Sequence, residues 1–230
     1  MSNQNFTELL VLTPNSQTSL SNPTVLRDLQ WVLNTIGSGS GAIHSSFRLG
    51  PKNQLLFTGI WAIIQDHDDL DIRGVTPKLL KTMLSHLTTS SVYFLYTDAS
   101  KIDFDAPMLG IDAYHVKSGQ KDEFEKVVDG MGGGTPTGGW YVTKKIPPLP
   151  RVMPTDPEEL RMVVGGRERA ERRLKEKNPE IFVVIEGLKD GERELGNELD
   201  SKVERYVEKV ERGVYGKFLE GKRDEGLEDR

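Results

Sequence analysis

The chain has 230 residues, 36% apolar and 28% charged, with a formal net charge of −5 and no cysteine. The missing cysteine removes disulfides, thiolate catalysis and Cys-based zinc sites together, and the acidic balance argues against a general nucleic-acid binder. No apolar run approaches the roughly 18 residues of a membrane-spanning helix, and the opening MSNQNFTELL lacks the basic and apolar regions of a secretory signal. A cytoplasmic protein built of one large or two small domains is the expectation.

In chain order, residues 6–13 predict a strand that Pro14 ends. Pro23 and Thr24 open a helix with Val25, Leu29, Val32, Leu33 and Ile36 on one face. Residues 42–49 alternate like a strand, Gly50 to Asn53 form a hairpin turn, and residues 54–63 make the next strand. Asp66 to Asp71 and Pro77 to Leu87 are helical, and residues 91–97 form a fourth strand. The order β-α-β-β-α-β is the ferredoxin-like arrangement, whose four-stranded sheet carries helices on one face and needs a cover on the other.

A second copy of the pattern supplies that cover. QLLFTGIWAIIQDHDDL (54–70) and EELRMVVGGRERAERRL (158–174) both pass from an apolar run through glycine to a charged stretch, and apolar runs at 8–14 and 109–119 precede them. The expected copy has a strand at 109–117, a short helix through Asp122, Phe124 and Val127, a Gly-rich loop at 130–139, and a strand at 139–146 paired with one at 159–165. A charged helix runs from Arg167 to Lys177, a solvated face. EIFVVIEGL (180–188) suits a closing strand or a buried helix. Val203, Tyr206, Val207, Val210 and Val214 recur at helical spacing, so 200–214 reads as helix. The fold class is α+β, two repeats packed sheet to sheet, with limits at 1–104 and 105–218 and a disordered tail at 219–230.

LLFTGIW (55–61) running into QDHDDL (65–70), with AYHVKSGQKDEF (113–124), resembles the dimeric α+β barrel superfamily, closest to antibiotic-biosynthesis-monooxygenase-like proteins of the tandem fungal type. The resemblance covers most of residues 6–175. It implies an intrachain pseudo-dimer, monomeric or paired further, and an oxidoreductase using neither metal nor flavin on an aromatic or polyketide-type substrate. Related barrels also cyclise, dehydrate or break down haem. Haem breakdown would call for an asparagine on the first strand, and residues 7–13 contain none. An approximate alignment sets Gly166 and Arg172 where the first copy has Trp61 and His67, so the first half-site is the working one.

Such chemistry needs a dry pocket, a base and donors for a developing oxyanion. Trp61 ends a strand and His67 enters the next helix, so both can face one cavity. His67, His115 and His44 are the candidate bases, and Trp61, Tyr114, Phe57 and Tyr141 the candidate substrate contacts, with the pocket placed inside the barrel. Alternation allows Tyr114 or His115 to line it, not both. Asp66, His67, Asp68 and Asp69 invite a metal, but consecutive helical residues diverge and cannot all grip one ion, so neither metal nor cofactor is expected. GMGGGTPTGG (130–139) lacks the ending of a phosphate loop and suits a mobile lid. A non-catalytic small-molecule-binding or stress-response barrel is the alternative. The partners expected are a small ligand, no nucleic acid and no membrane.

Overall fold

The first strand shows how the sheet divides its side chains. In β1 (Asn5–Pro14), Phe6, Leu10 and Leu12 face the helices, while Leu9 and Val11 face the opposite side, as the two-residue strand period requires. The computed structural model describes residues 4–38, 41–131, 137–142, 147–175, 179–189 and 197–221. The expected tail at 219–230 and the centre of the Gly-rich loop lie largely outside them, as do residues 143–146 of the expected strand. No helix among the described residues is long and apolar enough to cross a membrane.

Helix α1 (Pro23–Gly37) starts where the Asn22 side chain accepts from the Thr24 amide at 2.9 Å, with Pro23 in the first turn. Its predicted stripe is the buried one. Strands β2 (Ala42–Leu49) and β3 (Leu55–Trp61) follow, joined through Lys52 and Asn53 in the left-handed region. Helices α2 (Ile64–Ile72) and α3 (Thr76–Leu84) then lead into β4 (Leu87–Thr97). The second half runs β5 (Met108–Val116), α4 (Lys121–Asp129), β6 (Gly138–Trp140), α5 (Pro157–Lys175), β7 (Ile181–Leu188), α6 (Asn197–Val203) and β8 (Val207–Glu220).

The strands make one eight-stranded antiparallel sheet in the order β4-β1-β3-β2-β8-β5-β7-β6. Within each half the order is the same: the half's last strand, then its first, third and second. The halves join edge to edge where β2 meets β8, from Ser46 opposite Glu220 to Leu49 opposite Gly216. The outer strands also meet. Leu95 bridges Tyr141, and the Val142 amide donates to the Phe94 carbonyl at 2.7 Å. At this contact the sheet closes into a barrel.

Three cores result. Leu9, Leu56, Ile60, Leu95, Leu109, Ile111, Val183 and Ile185 fill the barrel interior. A second cluster lies between the first half's sheet and α1, α2 and α3, and a third between the second half's sheet and α4 and α6. The interior also takes Arg48, whose register partner Leu56 belongs to the inner core. Its guanidinium donates to the Ala106 carbonyl at 3.0 Å and to the Phe104 carbonyl. The expected pocket inside the barrel is thus occupied by side chains, and the open space lies on the helical side.

Three sequence expectations fail in the second half. Residues 159–165 are helical, the opening turns of α5, and β6 pairs with β7 instead. Asp156 accepts from the Glu158 and Glu159 amides at 2.9 and 3.0 Å, with Pro157 at the first helical position and Glu159 three residues on. That acid-x-x-Glu start outweighs the apolar run Met162–Val164. It follows that 158–174 is not the counterpart of 54–70, which is strand then helix; β7 holds the topological place of β3. Residues 207–220 form a strand, although their spacing suits a helix, because β8 pairs with β5 on one side and β2 on the other. The same pairing settles 181–188 as strand.

Candidate active site

The register of β1 and β3 builds one wall. Phe6 sits opposite Trp61, and Glu8, two residues on, shares the helix-facing side of β1. Helix α2 begins three residues beyond the end of β3 and drops His67 onto this wall. The imidazole packs edge-on against the Trp61 ring at 4.7 Å between centroids and against Phe6 at 5.3 Å. Its Nε2 lies 3.3 Å from Glu8 Oε2, an ion pair when the ring is protonated. His67 is 6% exposed and Trp61 1%.

Together they face a cavity of about 250 Å³ between the sheet and the helices. Leu10, Phe57, Leu79, Met83, Val92 and Phe94 give it apolar walls, and Tyr141 borders both the cavity and the inner core. Its polar groups are few: Glu8, His67, Asp71, Thr76, Thr89, Tyr141 and Arg169. Trp61 Nε1 and Thr76 Oγ1 are buried and make no hydrogen bond among the described residues. Such donors have value only if something in the cavity accepts from them. His67 Nε2 or Nδ1 and one carboxylate oxygen each from Asp68 and Asp71 lie within 4.8 Å of one another. Asp71, one turn beyond His67, brings together a trio that could hold a divalent cation, which four consecutive residues could not.

A glycine shapes this wall. The Trp61 ring lies back over Gly59, so a Cβ there would come within 2.7 Å of indole Cζ3 and 3.0 Å of Phe57 Cζ. Gly59→Ala is expected to push the indole into the cavity and cost about 1–3 kcal/mol. Urea unfolding with ligand titration would measure both, and an unchanged midpoint would mean that the indole swings aside freely.

Helix α5, from the other half, closes the cavity through Gly166, Arg169 and Ala170 and packs on α3. Lys81 Nζ on α3 reaches Asp156 Oδ2 at 2.6 Å, the carboxylate that caps α5. The Lys81 ammonium, with the Glu159 and Glu158 amides, holds the Asp156 carboxyl below its usual range. A depressed carboxylate stabilises the fold above its unfolded pKa and loses that contribution as pH falls through its folded one. Protection of α5 amides against hydrogen exchange is therefore expected to fall below about pH 4, where the unfolded carboxylate titrates. In Asp156→Asn the amide cap remains and that acid-dependent loss should vanish; an unaltered profile would refute the clamp.

Of the expected residues, His67, Trp61, Phe57 and Tyr141 meet in this cavity. Tyr114, His115 and His44 do not. Tyr114 pairs with Phe182 and faces α4 and α6, where its hydroxyl donates to Asp200 Oδ1 at 2.9 Å. There Arg212 Nε lies 3.2 Å from Asp112 Oδ2 and also pairs with Asp200. Burial pushes the Asp112 carboxyl up against the pull of Arg212, and burial with Asp112 beside it pushes the Tyr114 hydroxyl up. His115, on the barrel's inner face beside Ile181, sits at the mouth with Nε2 3.2 Å from Glu211 Oε1. Lys209 first, and Tyr93 with it, holds Glu211 below the usual range. His44 also faces inward, stacked on Phe104 at 4.8 Å and 3.1 Å from Ser46 Oγ.

Glu8, Asp71, Thr76 and Arg169 escaped the sequence reading. Glu8 left a signal: it occupies a helix-facing position of the alternating strand Phe6, Glu8, Leu10, Leu12, where a carboxylate has to find a partner. Asp71 stands four residues beyond His67. Arg169 left none, because its helix reads as strand and solvated face.

Neither a protein-family model nor a curated protein matches the sequence. Solved structures do match, and they place the chain in the dimeric α+β barrel fold. A candidate monooxygenase from Fusobacterium nucleatum aligns over 97% of this chain and 97% of its own, with a TM-score of 0.57 and 9% identity. An anthrone oxidase-like protein gives 99% and 97%, 0.56 and 8%. A candidate monooxygenase from Lactobacillus acidophilus gives 94% and 99%, 0.53 and 10%. At these identities the likeness is one of fold.

Proposed function

We propose that the chain is a cofactor-independent monooxygenase-type enzyme that oxidises an aromatic or polyketide-type small molecule in the cavity between the first half's sheet and its helices. The two halves are two ferredoxin-like repeats, at 1–104 and 105–218, of which only the first keeps a working site. One observation carries the reading: a buried imidazole, backed by a carboxylate and a tryptophan, on the wall of an apolar cavity.

His67 takes a proton from an activated carbon or phenol of the substrate, and Glu8 stabilises the imidazolium that forms. Trp61 Nε1–H and the Thr76 hydroxyl are the donors available to the oxyanion. The substrate anion reacts with dioxygen, and protonation gives a hydroperoxide at carbon. Loss of water leaves a carbonyl, so one oxygen atom ends in the product and the other in water. The apolar walls exclude solvent from the anion. The candidate monooxygenases and the anthrone oxidase-like protein that share the fold support the reaction class by analogy.

Oxygen uptake with a panel of anthrones and naphthols, with and without EDTA, tests it. One dioxygen consumed per carbonyl formed, unaffected by chelation, is the expected result. Loss of uptake with EDTA would move the chemistry to a metal on His67, Asp68 and Asp71. Tight binding without uptake would favour the non-catalytic barrel.

A further inference from the structure

The cavity's charged groups come from both halves of the chain, Glu8, His67 and Asp71 from the first and Arg169 from the second. Glu8 and His67 belong to the end where β4 carries Phe94, the register partner of Glu8. The opposite end is marked by Thr89, opposite Leu12. Five residues of strand separate the two, about 16 Å at 3.3 Å per residue. Arg169 borders both this cavity and the cleft at the barrel mouth, which takes in residues 87–93 of β4 but not Glu8, Trp61 or His67. Arg169 is the only arginine or lysine on the cavity among the described residues.

The Arg169 side chain is exposed at the rim of the cavity. No ion pair or hydrogen bond to Arg169 occurs among the described residues, although acids stand near. On its own helix Glu171 pairs with Arg167 Nε at 3.3 Å. Across the cleft Glu211 is held by Lys209, His115 and Tyr93. The guanidinium lies back along α5 over two glycines: a Cβ on Gly165 would come within 3.3 Å of one terminal nitrogen, and one on Gly166 within 4.0 Å of the other. This glycine pair costs helix stability, about 1 kcal/mol per residue against alanine, and it leaves room for the arginine to lie against the cavity mouth.

We propose that Arg169 anchors a carboxylate of the substrate, so that the ligand is an aromatic acid whose anionic group lies at the end remote from its reacting carbon. A planar guanidinium pairs with a carboxylate through two parallel N–H···O bonds. The apolar walls between the two ends then set the length of the aromatic body. The assignment rests on the enzyme reading of the cavity and adds to it a substrate class and a direction of entry, reacting end first.

The test is calorimetric binding of anthraquinone-2-carboxylate and of 2-(hydroxymethyl)anthraquinone to the full chain. The wild type is expected to favour the carboxylate at least tenfold, by a margin that shrinks with salt. Arg169→Gln should erase the margin while changing affinity for the neutral compound less than twofold; Arg169→Lys should keep part of it. Arg161→Gln, on the same helix but away from the cavity, should keep all of it. A margin that survives in Arg169→Gln, or equal binding of both compounds by the wild type, overturns the anchor and leaves the cavity reading standing. Binding of neither compound overturns both.

Discussion

His67→Gln should lower the turnover of any substrate that supports oxygen uptake by about 10²–10⁴-fold, the usual worth of a positioned general base. The glutamine keeps a polar group near Glu8 and most of the volume packed on Phe6 and Trp61, so the urea midpoint should move little. His67→Ala is the poorer probe, since it leaves a hole among three aromatic rings. Substrate affinity measured under anaerobic conditions should stay within a few-fold in His67→Gln. Full retained turnover would remove the imidazole from the chemistry, whereas equal losses in turnover and binding would make it a wall of the cavity only.

The largest loss of stability should follow from Arg48→Ala. Arg48 is 1% exposed, and its guanidinium binds two backbone carbonyls of the segment that links β4 to β5. Burial pushes its pKa down, with Glu220, Asp105 and Asp103 acting against that shift. Truncation leaves the Phe104 and Ala106 carbonyls without their donor and opens a void in the inner core. Hydrogen bonds to a charged group contribute about 1.5–3 kcal/mol each, offset in part by release from the cost of burying a cation. A net loss of about 3 kcal/mol is expected, read as a lower urea midpoint at unchanged slope. A shift below about 0.5 kcal/mol would mean that other donors reach the linking segment.

What was legible in the sequence follows from how local the governing forces are. The first half read well because its strands alternate and α1 carries its own cap, proline and apolar stripe in consecutive residues. Trp61 and His67 could be brought together on paper because six residues of strand end and helix start separate them. The second half read poorly. Its helix α5 hides an apolar run behind an acid cap, and β8 owes its extended form to two partners, one of them more than 160 residues away. The cavity's side of the sheet could not be read, since alternation gives two faces without saying which one is packed solid. Arg169 was out of reach because α5 meets the first half only through tertiary packing.

Ring closure at Leu95 and Tyr141, with the seam between β2 and β8, completes the barrel within one polypeptide. Where two separate subunits must meet to form such a barrel, dilution works against the fold. Here the encounter is unimolecular, and thermal midpoints should not vary with protein concentration.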